Sequence, residues 1–252
     1  MKNLMIPALA LFLSAAAQAD DSPLWMRYCA ISPDGQTIAF SYQGDIYTVP
    51  SSGGKARQLT THPAHDTRPV WSPDGQRIAF ASNRSGNFDV FLMNKEGGEP
   101  KRLTTHSTNE YPTTFKDNGH ILYLANVLQD AKDIQFPGTR FMQVYEISTD
   151  GGRPDLYSSL YMENIALSKD GSKLLYNDYK GYEDPWRKHH QSSITRDIWL
   201  CTLGKDRSFQ KVTTFGGEDR NPVWAADGAS FYYLSEEKLS LIHISEPTRL
   251  AL

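Results

Sequence analysis

The stretch RPVWSPDGQRIAFAS at residues 68–82 is written again, with substitutions, as NPVWAADGASFYYLS at residues 221–235. Placing the Asp-Gly pairs and one degenerate copy in order gives Asp34, Asp74, Asn118, Asp170 and Asp227, at intervals of 40, 44, 52 and 57 residues. Units of that length cannot each bury a core alone, so they must stack on one another. Several strand-like runs per unit make such a stack a propeller or a related array.

Each unit can be read piece by piece. In Val70-Trp71-Ser72-Pro73-Asp74-Gly75, Pro presets φ for the second turn position, Asp tolerates the third, and Gly takes the left-handed conformation that closes a hairpin. The run at 77–82 carries Ile78 and Phe80 on one face and Ala79 and Ala81 on the other, the pattern of a strand packed on both sides. A third run, DVFLM at 89–93, recurs as DIYTV, QVYEI and DIWL. It is followed by Gly53-Gly54, Gly97-Gly98 or Gly151-Gly152, whose positive φ values suit a two-residue hairpin. In the fourth copy Gly204-Lys205-Asp206 makes a looser turn. The unit closes on RQLT, KRLT or KVTT, a short cationic strand fit for an outer edge.

Four meandering strands per unit around an axis define an all-β fold, a β-propeller. Blades are expected near residues 24–62, 67–106, 111–158, 163–215 and 221–238: four complete blades and half of a fifth, in an open or incomplete ring.

The two ends stand apart from the repeats. Lys2, an apolar run at 4–16 and Ala17-Gln18-Ala19 read as a secretory signal peptide over 1–19. Its apolar run is shorter than the roughly 20 residues of a spanning helix, so no membrane span is expected after cleavage and the working fold is placed at 20–238. At the other end, LSLIHISEPTR at 239–249 resembles the translation of a transposon-end adapter used in sequencing libraries. On that reading 239–252 is a non-native tail and the natural protein continues past Lys238. The alternative is an ordinary strand, since LSLIHIS alternates apolar and polar residues.

A formal net charge of −3 gives no basic field for phosphate backbones, which sets nucleic acid aside. Cys29 and Cys201, the 2 cysteines, fall at unlike positions of the repeat and read as unbridged thiols.

The pattern P-x-W-S-P-D-G, I-A-F, D-I-Y, G-G, L-T resembles the PD40 or TolB-like propeller repeat. More narrowly, LWMRYCAISPDGQTIAFSYQGDIYTVP, THPAHDTRPVWSPDG and GYEDPWRKHHQSSITRDIW resemble the N-terminus of periplasmic tricorn-like peptidases of the S41 class. That resemblance implies a periplasmic protein whose PDZ and serine-protease domains lie outside this chain.

Motifs of chemistry are missing from the chain itself. It holds no G-x-S-x-G elbow, H-E-x-x-H, paired C-x-x-C or G-x-G-x-x-G, so no catalytic residue, cofactor or metal is assigned. In an antiparallel meander, the tight Ser-Pro-Asp-Gly and Gly-Gly turns share one side, and the long, varied loops share the other, where binding residues concentrate. The candidates there for contact with peptide or partner are His62, His65, Asp66, Arg68, Glu110, Trp186, Arg187, His189, His190, Asp219 and Arg220. Metal ligation by His62 and His65, or by His189 and His190, with Asp66 and Glu163 nearby, is weighed against plain solvated histidines, and the latter is preferred. For Asp66 and Arg68, echoed as Asp219 and Asn221, the competing reading is a repeated hydrogen bond fastening blade to blade. Trp71 and Trp224 sit at matching inner-strand positions and read as packing residues.

Three functions fit. The first is the non-catalytic propeller of a secreted tricorn-like serine peptidase, gating or channelling peptides to a protease domain, with peptides, those missing domains and further copies of the chain as partners. The second is a TolB-like periplasmic propeller that binds proteins. The third is the propeller of a prolyl-oligopeptidase-type enzyme.

Overall fold

The Ser-Pro-Asp-Gly stretches close their hairpins with their own side chains. In the computed structural model, which describes residues 25–127, 142–181, 192–225 and 227–237 and the main chain of 248–251, the hydroxyls of Ser32, Ser72 and Ser168 donate to Asp34, Asp74 and Asp170 at 2.5, 2.5 and 2.7 Å. The same hydroxyls accept the N–H groups of Thr37, Arg77 and Lys173 at 2.9 Å. Gly35, Gly75 and Gly171 follow with φ of 71°, 65° and 70°. The serine hydroxyls, helped by nearby main-chain N–H groups, hold the three carboxyls below their ordinary range.

These turns organise a run of antiparallel sheets, each built in chain order. The first contains β1 (Arg27–Ile31), β2 (Thr37–Tyr42), β3 (Asp45–Pro50) and β4 (Arg57–Gln58). The second contains β5 (Asp66–Trp71), β6 (Arg77–Ser82), β7 (Asp89–Asn94) and β8 (Lys101–Arg102). The third has β9 (Glu110–Asp117), β10 (His120–Ala125), β11 (Gln143–Ser148) and β12 (Asp155–Ser158). The fourth has β13 (Glu163–Leu167), β14 (Lys173–Asn177), β15 (Ile198–Thr202) and β16 (Ser208–Lys211). The fifth carries the inner hairpin β17 (Asp219–Trp224) and β18 (Ser230–Ser235), with β19 (Thr248–Ala251) laid along its edge. No helix occurs among the described residues. The fold is a β-propeller.

The Leu-Thr or Val-Thr pair ending the first, second and fourth units has a specific task. Thr60, Thr104 and Thr213 accept the N–H groups of Ile46, Val90 and Ile198 at 3.0, 2.9 and 3.0 Å, tying the short fourth strand to the buried third.

The core lies between blades. Phe80 and Ile78 of the second blade meet Ala39 and Ile46 of the first, while Ile121 and Tyr123 of the third meet Ala79 and Val90 of the second. Leu174 and Met162 close the third seam against Leu122 and Val144, and Phe231 closes the fourth against Leu175 and Ile198. The indoles add a polar strut, with Trp71 Nε1 donating to the Ala30 carbonyl at 3.0 Å and Trp224 Nε1 to that of Ala166 at 2.9 Å. Among the described residues no comparable core joins the fifth sheet to the first. Tyr28 and Ile31 on β1 remain 47 % and 60 % exposed, and Val223 on β17 is 58 % exposed. Among the described residues no hydrophobic seam closes the arc on that side.

Candidate functional site at the mouth of the axial channel

Because the first strand of every sheet lines the axis, the identity of the residue at one matched position near its start decides what the channel presents. In the first, second, fourth and fifth sheets that residue is Tyr28, Arg68, Asn164 and Asn221, with φ of 54°, 55°, 51° and 56°. At each, the pairing with the second strand slips by one residue. This is a β-bulge in a left-handed conformation, costly for a side-chain-bearing residue and tolerated best by Asn. The third sheet carries Pro112 at this place, whose ring fixes φ negative.

The main chain of these residues fastens the seam. Arg68 N–H donates to Ser41 Oγ of the preceding blade at 3.2 Å, and Asn221 N–H donates to Asn177 Oδ1 at 2.9 Å. Two residues earlier, the N–H groups of Asp66 and Asp219 bond the carbonyls of Gly44 and Arg196 at 2.7 and 3.1 Å. The repeated interblade hydrogen bond therefore runs through main-chain N–H groups.

The side chains meet in a cavity of about 750 Å³ on the face away from the Ser-Pro-Asp-Gly turns, with Tyr28, Arg68, Tyr111, Tyr161, Asn164 and Asn221 in its lining. A second cavity, of about 870 Å³, opens at the turn end against Trp71 and Trp224. In the first cavity the Arg68 guanidinium carbon lies over the Tyr111 ring at 4.5 Å and over the Tyr28 ring at 5.1 Å. Burial pushes up the phenols of Tyr111 and Tyr161, and the Arg68 charge opposes it in both. The one carboxylate in the lining, Glu163, is already engaged: its oxygens take Tyr161 OH at 2.9 Å and Arg196 Nε at 2.7 Å. Arg196 in turn reaches Glu218 at 2.8 Å and lies over the Tyr179 ring at 5.5 Å.

The propeller fold recurs in known proteins. Residues 23–243 match the family model of the tricorn protease N-terminal beta propeller domain. The chain belongs to that family. The tricorn-type propeller is 46 % identical over 52 residues to the uncharacterized peptidase YuxL of Bacillus subtilis, which covers 19 % of this chain and 8 % of the relative. It is 30 % identical over 71 residues to tricorn protease homolog 1 of Streptomyces coelicolor, 28 % of this chain and 6 % of the relative. The chain thus spans under a tenth of either protein. Among solved structures it resembles the putative TolB of Agrobacterium tumefaciens (TM-score 0.64, 17 % identity, 84 % of this chain and 71 % of that one). It also resembles the tricorn protease (TM-score 0.63, 20 % identity, 84 % and 20 %).

Of the candidate contact residues that are described, the tricorn-type propeller brings Arg68 alone into the cavity lining, where Glu163 and Asn221, named beside those candidates, also stand. Asp66 is fully buried and pairs within its own blade, where both its oxygens accept from Arg84 Nη2 at 3.0 and 2.8 Å. Glu110 and Asp219 are buried at the second and fourth seams. The Glu110 carboxyl lies against Asp89 and is pushed up to about 7, chiefly by burial; Thr104 opposes the shift and the Asp89 charge reinforces it. Asp219 is likewise pushed up by burial, to about 6, against the hydrogen bonds of Ser235 and Thr213 and with the charge of Asp197 adding. Arg220 is half-buried near Glu218, Glu236 and Glu163, and burial pulls its guanidinium down.

His62 and His65 are exposed on the loop before β5. His62 Nδ1 accepts the Ala64 N–H at 3.0 Å, and His65 packs edge-on to Phe88 with ring centres 6.0 Å apart. No group of three or more potential metal ligands occurs among the described residues, and Asp66 and Glu163 are each committed to an arginine. Trp186, Arg187, His189 and His190 lie outside the described residues. Sequence reasoning missed Tyr28, Tyr111 and Tyr161. For Tyr28 the signal was available, since it stands four residues before the turn serine, as Arg68 does.

Proposed function

We propose that this chain is the non-catalytic propeller region of a secreted, periplasmic tricorn-like serine peptidase of the S41 class, gating or channelling peptides to a protease domain outside the chain. The family match supports the parentage. The observation that carries the channelling role is the axial cavity, into which five blades project a mixture of aromatic, amide and cationic groups around a partly apolar wall. Sites that hold small ligands are concave and mostly apolar, with a few converging polar groups.

The test is binding of short fluorescent peptides to the purified protein, followed by anisotropy, alongside a peptidase assay and a serine-directed activity probe. Saturable binding without turnover is the expected result. Turnover blocked by the serine probe, or no binding by any peptide, refutes the reading. The likeness to TolB over most of that chain favours a second reading, a propeller that binds folded envelope proteins. Retention of such proteins, with no affinity for free peptides, would select it.

A further inference from the structure

Arginine in a protein cavity normally meets a carboxylate. Three other part-buried arginines do: Arg84 has Asp66, Arg102 has Asp89, and Arg196 has Glu163 and Glu218, while Arg220 lies near Glu218 and Glu236. Arg68 differs. Its side chain makes no hydrogen bond and no ion pair among the described residues; only its main-chain N–H is used. What holds the guanidinium is the pair of tyrosine faces at 4.5 and 5.1 Å. Ring stacking stabilises the cation while leaving its in-plane N–H fork free, the geometry that takes a carboxylate through two parallel bonds. Among the described residues the one carboxylate in the surrounding wall, Glu163, is tied to Arg196 and does not compete.

We propose that Arg68 is a receptor for peptide carboxylates, which makes the channel selective for peptides bearing acidic side chains. The inference rests on the channelling role proposed above and adds the substrate class. The overall charge argues for a local cause. A chain with a net charge of −3 gives acidic peptides no general attraction, so a preference for them has to arise at a particular site. Tyr28 and Tyr111 also exclude water from the flanks of the guanidinium, which strengthens a charge-assisted bond relative to one in open solvent.

The experiment compares C-terminally amidated peptides that differ only in Glu against Gln, so that a side chain is the sole source of carboxylate, with a third arm of neutral peptides ending in a free carboxylate. The Glu peptide is expected to bind about tenfold more tightly than its Gln analogue, the worth of one charge-assisted pair in a partly solvated cavity. In Arg68→Asn, which places at this left-handed position the residue that the fourth and fifth blades already use, that ratio falls to near one. Alkylation of Cys29 by iodoacetamide supplies a reading on the unaltered protein. Cys29 lines the same cavity and is exposed, whereas Cys201 is buried, so the Glu peptide protects Cys29 and the Gln peptide does so less. Equal binding of Glu and Gln peptides, a ratio unchanged in the variant, or discrimination by the terminal carboxylate alone overturns the inference while leaving channelling intact. Failure of every peptide to bind instead removes the reading on which it rests.

Discussion

Ionisation of the carboxyl buried between the second and third blades should weaken the fold as pH rises. Glu110 is 1 % exposed, and Tyr123 OH and Glu110 Oε2 are both without a hydrogen-bond partner among the described residues. The neighbouring Asp89 has its own charge balanced by Arg102 Nη2 at 2.9 Å, so no cation remains for Glu110. Burial therefore favours the protonated acid and raises its value from 4.5 to about 7. The protonated carboxyl is the form that stabilises the folded state. That contribution is complete below 4.5, where the unfolded chain is protonated too, and is lost as pH rises through about 7. Once both states are ionised, the folded state has lost about 3 kcal/mol relative to its stability at low pH, a sizeable part of the stability of an ordinary domain.

Urea unfolding followed by tryptophan fluorescence, repeated from pH 4.5 to about pH 8, measures this directly. In Glu110→Gln the group that titrates is gone while the shape is kept. The variant should exceed the parent by up to about 3 kcal/mol above neutrality and converge with it towards pH 4.5. Asp219, raised to about 6 by burial at the fourth seam, produces a second fall of the same sign that Asp219→Asn removes. If Glu110→Gln loses stability in parallel with the parent across neutrality, or if the parent gains stability with rising pH there, the buried acid is not controlling the seam.

Two further outcomes test the turns and struts. Trp71→Phe and Trp224→Phe each remove a hydrogen bond to the preceding blade while keeping most of the ring, and each should cost about 1 kcal/mol, close to additively, in the same urea assay. Gly53→Ala and Gly97→Ala both force alanine into a left-handed turn, with φ of 87° and 83°, at about 1 kcal/mol of strain. Only at Gly97 would the new methyl stand 3.1 Å from the Leu59 carbonyl of the neighbouring blade, with open space at Gly53. Gly97→Ala should therefore melt lower than Gly53→Ala, and equal melting would show that the blades adjust freely.

The architecture was legible because its signals are local. Ser-Pro-Asp-Gly and Gly-Gly encode their turns within a few residues, and Leu-Thr encodes the bond that Val90 N–H donates to Thr104 Oγ within one blade. The site was less legible because it forms between units. Nothing near Glu110 in the sequence announces Asp89, whose carboxylate reaches it only when the third blade stacks on the second. Asp66 and Asp219 occupy the same repeat position, yet Arg84 answers the first while no ion pair among the described residues answers the second. Loop chemistry also misled. His62 and His65 carry the most conspicuous side chains on the loop before β5, but that loop runs outside the axis, and the cavity is lined by the strand that follows.

Placing the channel residue on the left-handed bulge separates two requirements that would otherwise conflict. The seam needs a donor at that position, and Arg68 and Asn221 both supply it from the main chain, to Ser41 Oγ and Asn177 Oδ1 respectively. A main-chain N–H is the same whatever side chain follows it, so the blades can be fastened identically while the axis carries tyrosine, arginine or asparagine. The constraint moves instead to the preceding blade, which must present an acceptor on its second strand, and to the cost of a left-handed conformation. Asparagine bears that cost most easily. A tyrosine at residue 28 and an arginine at residue 68 in the same conformation are therefore the costlier choices, and they are the two that bring an aromatic face and a cation together at the channel mouth. Local strain at matched repeat positions, set against a cheaper residue two blades away, is the physical reason to look for the channel's selectivity at Arg68.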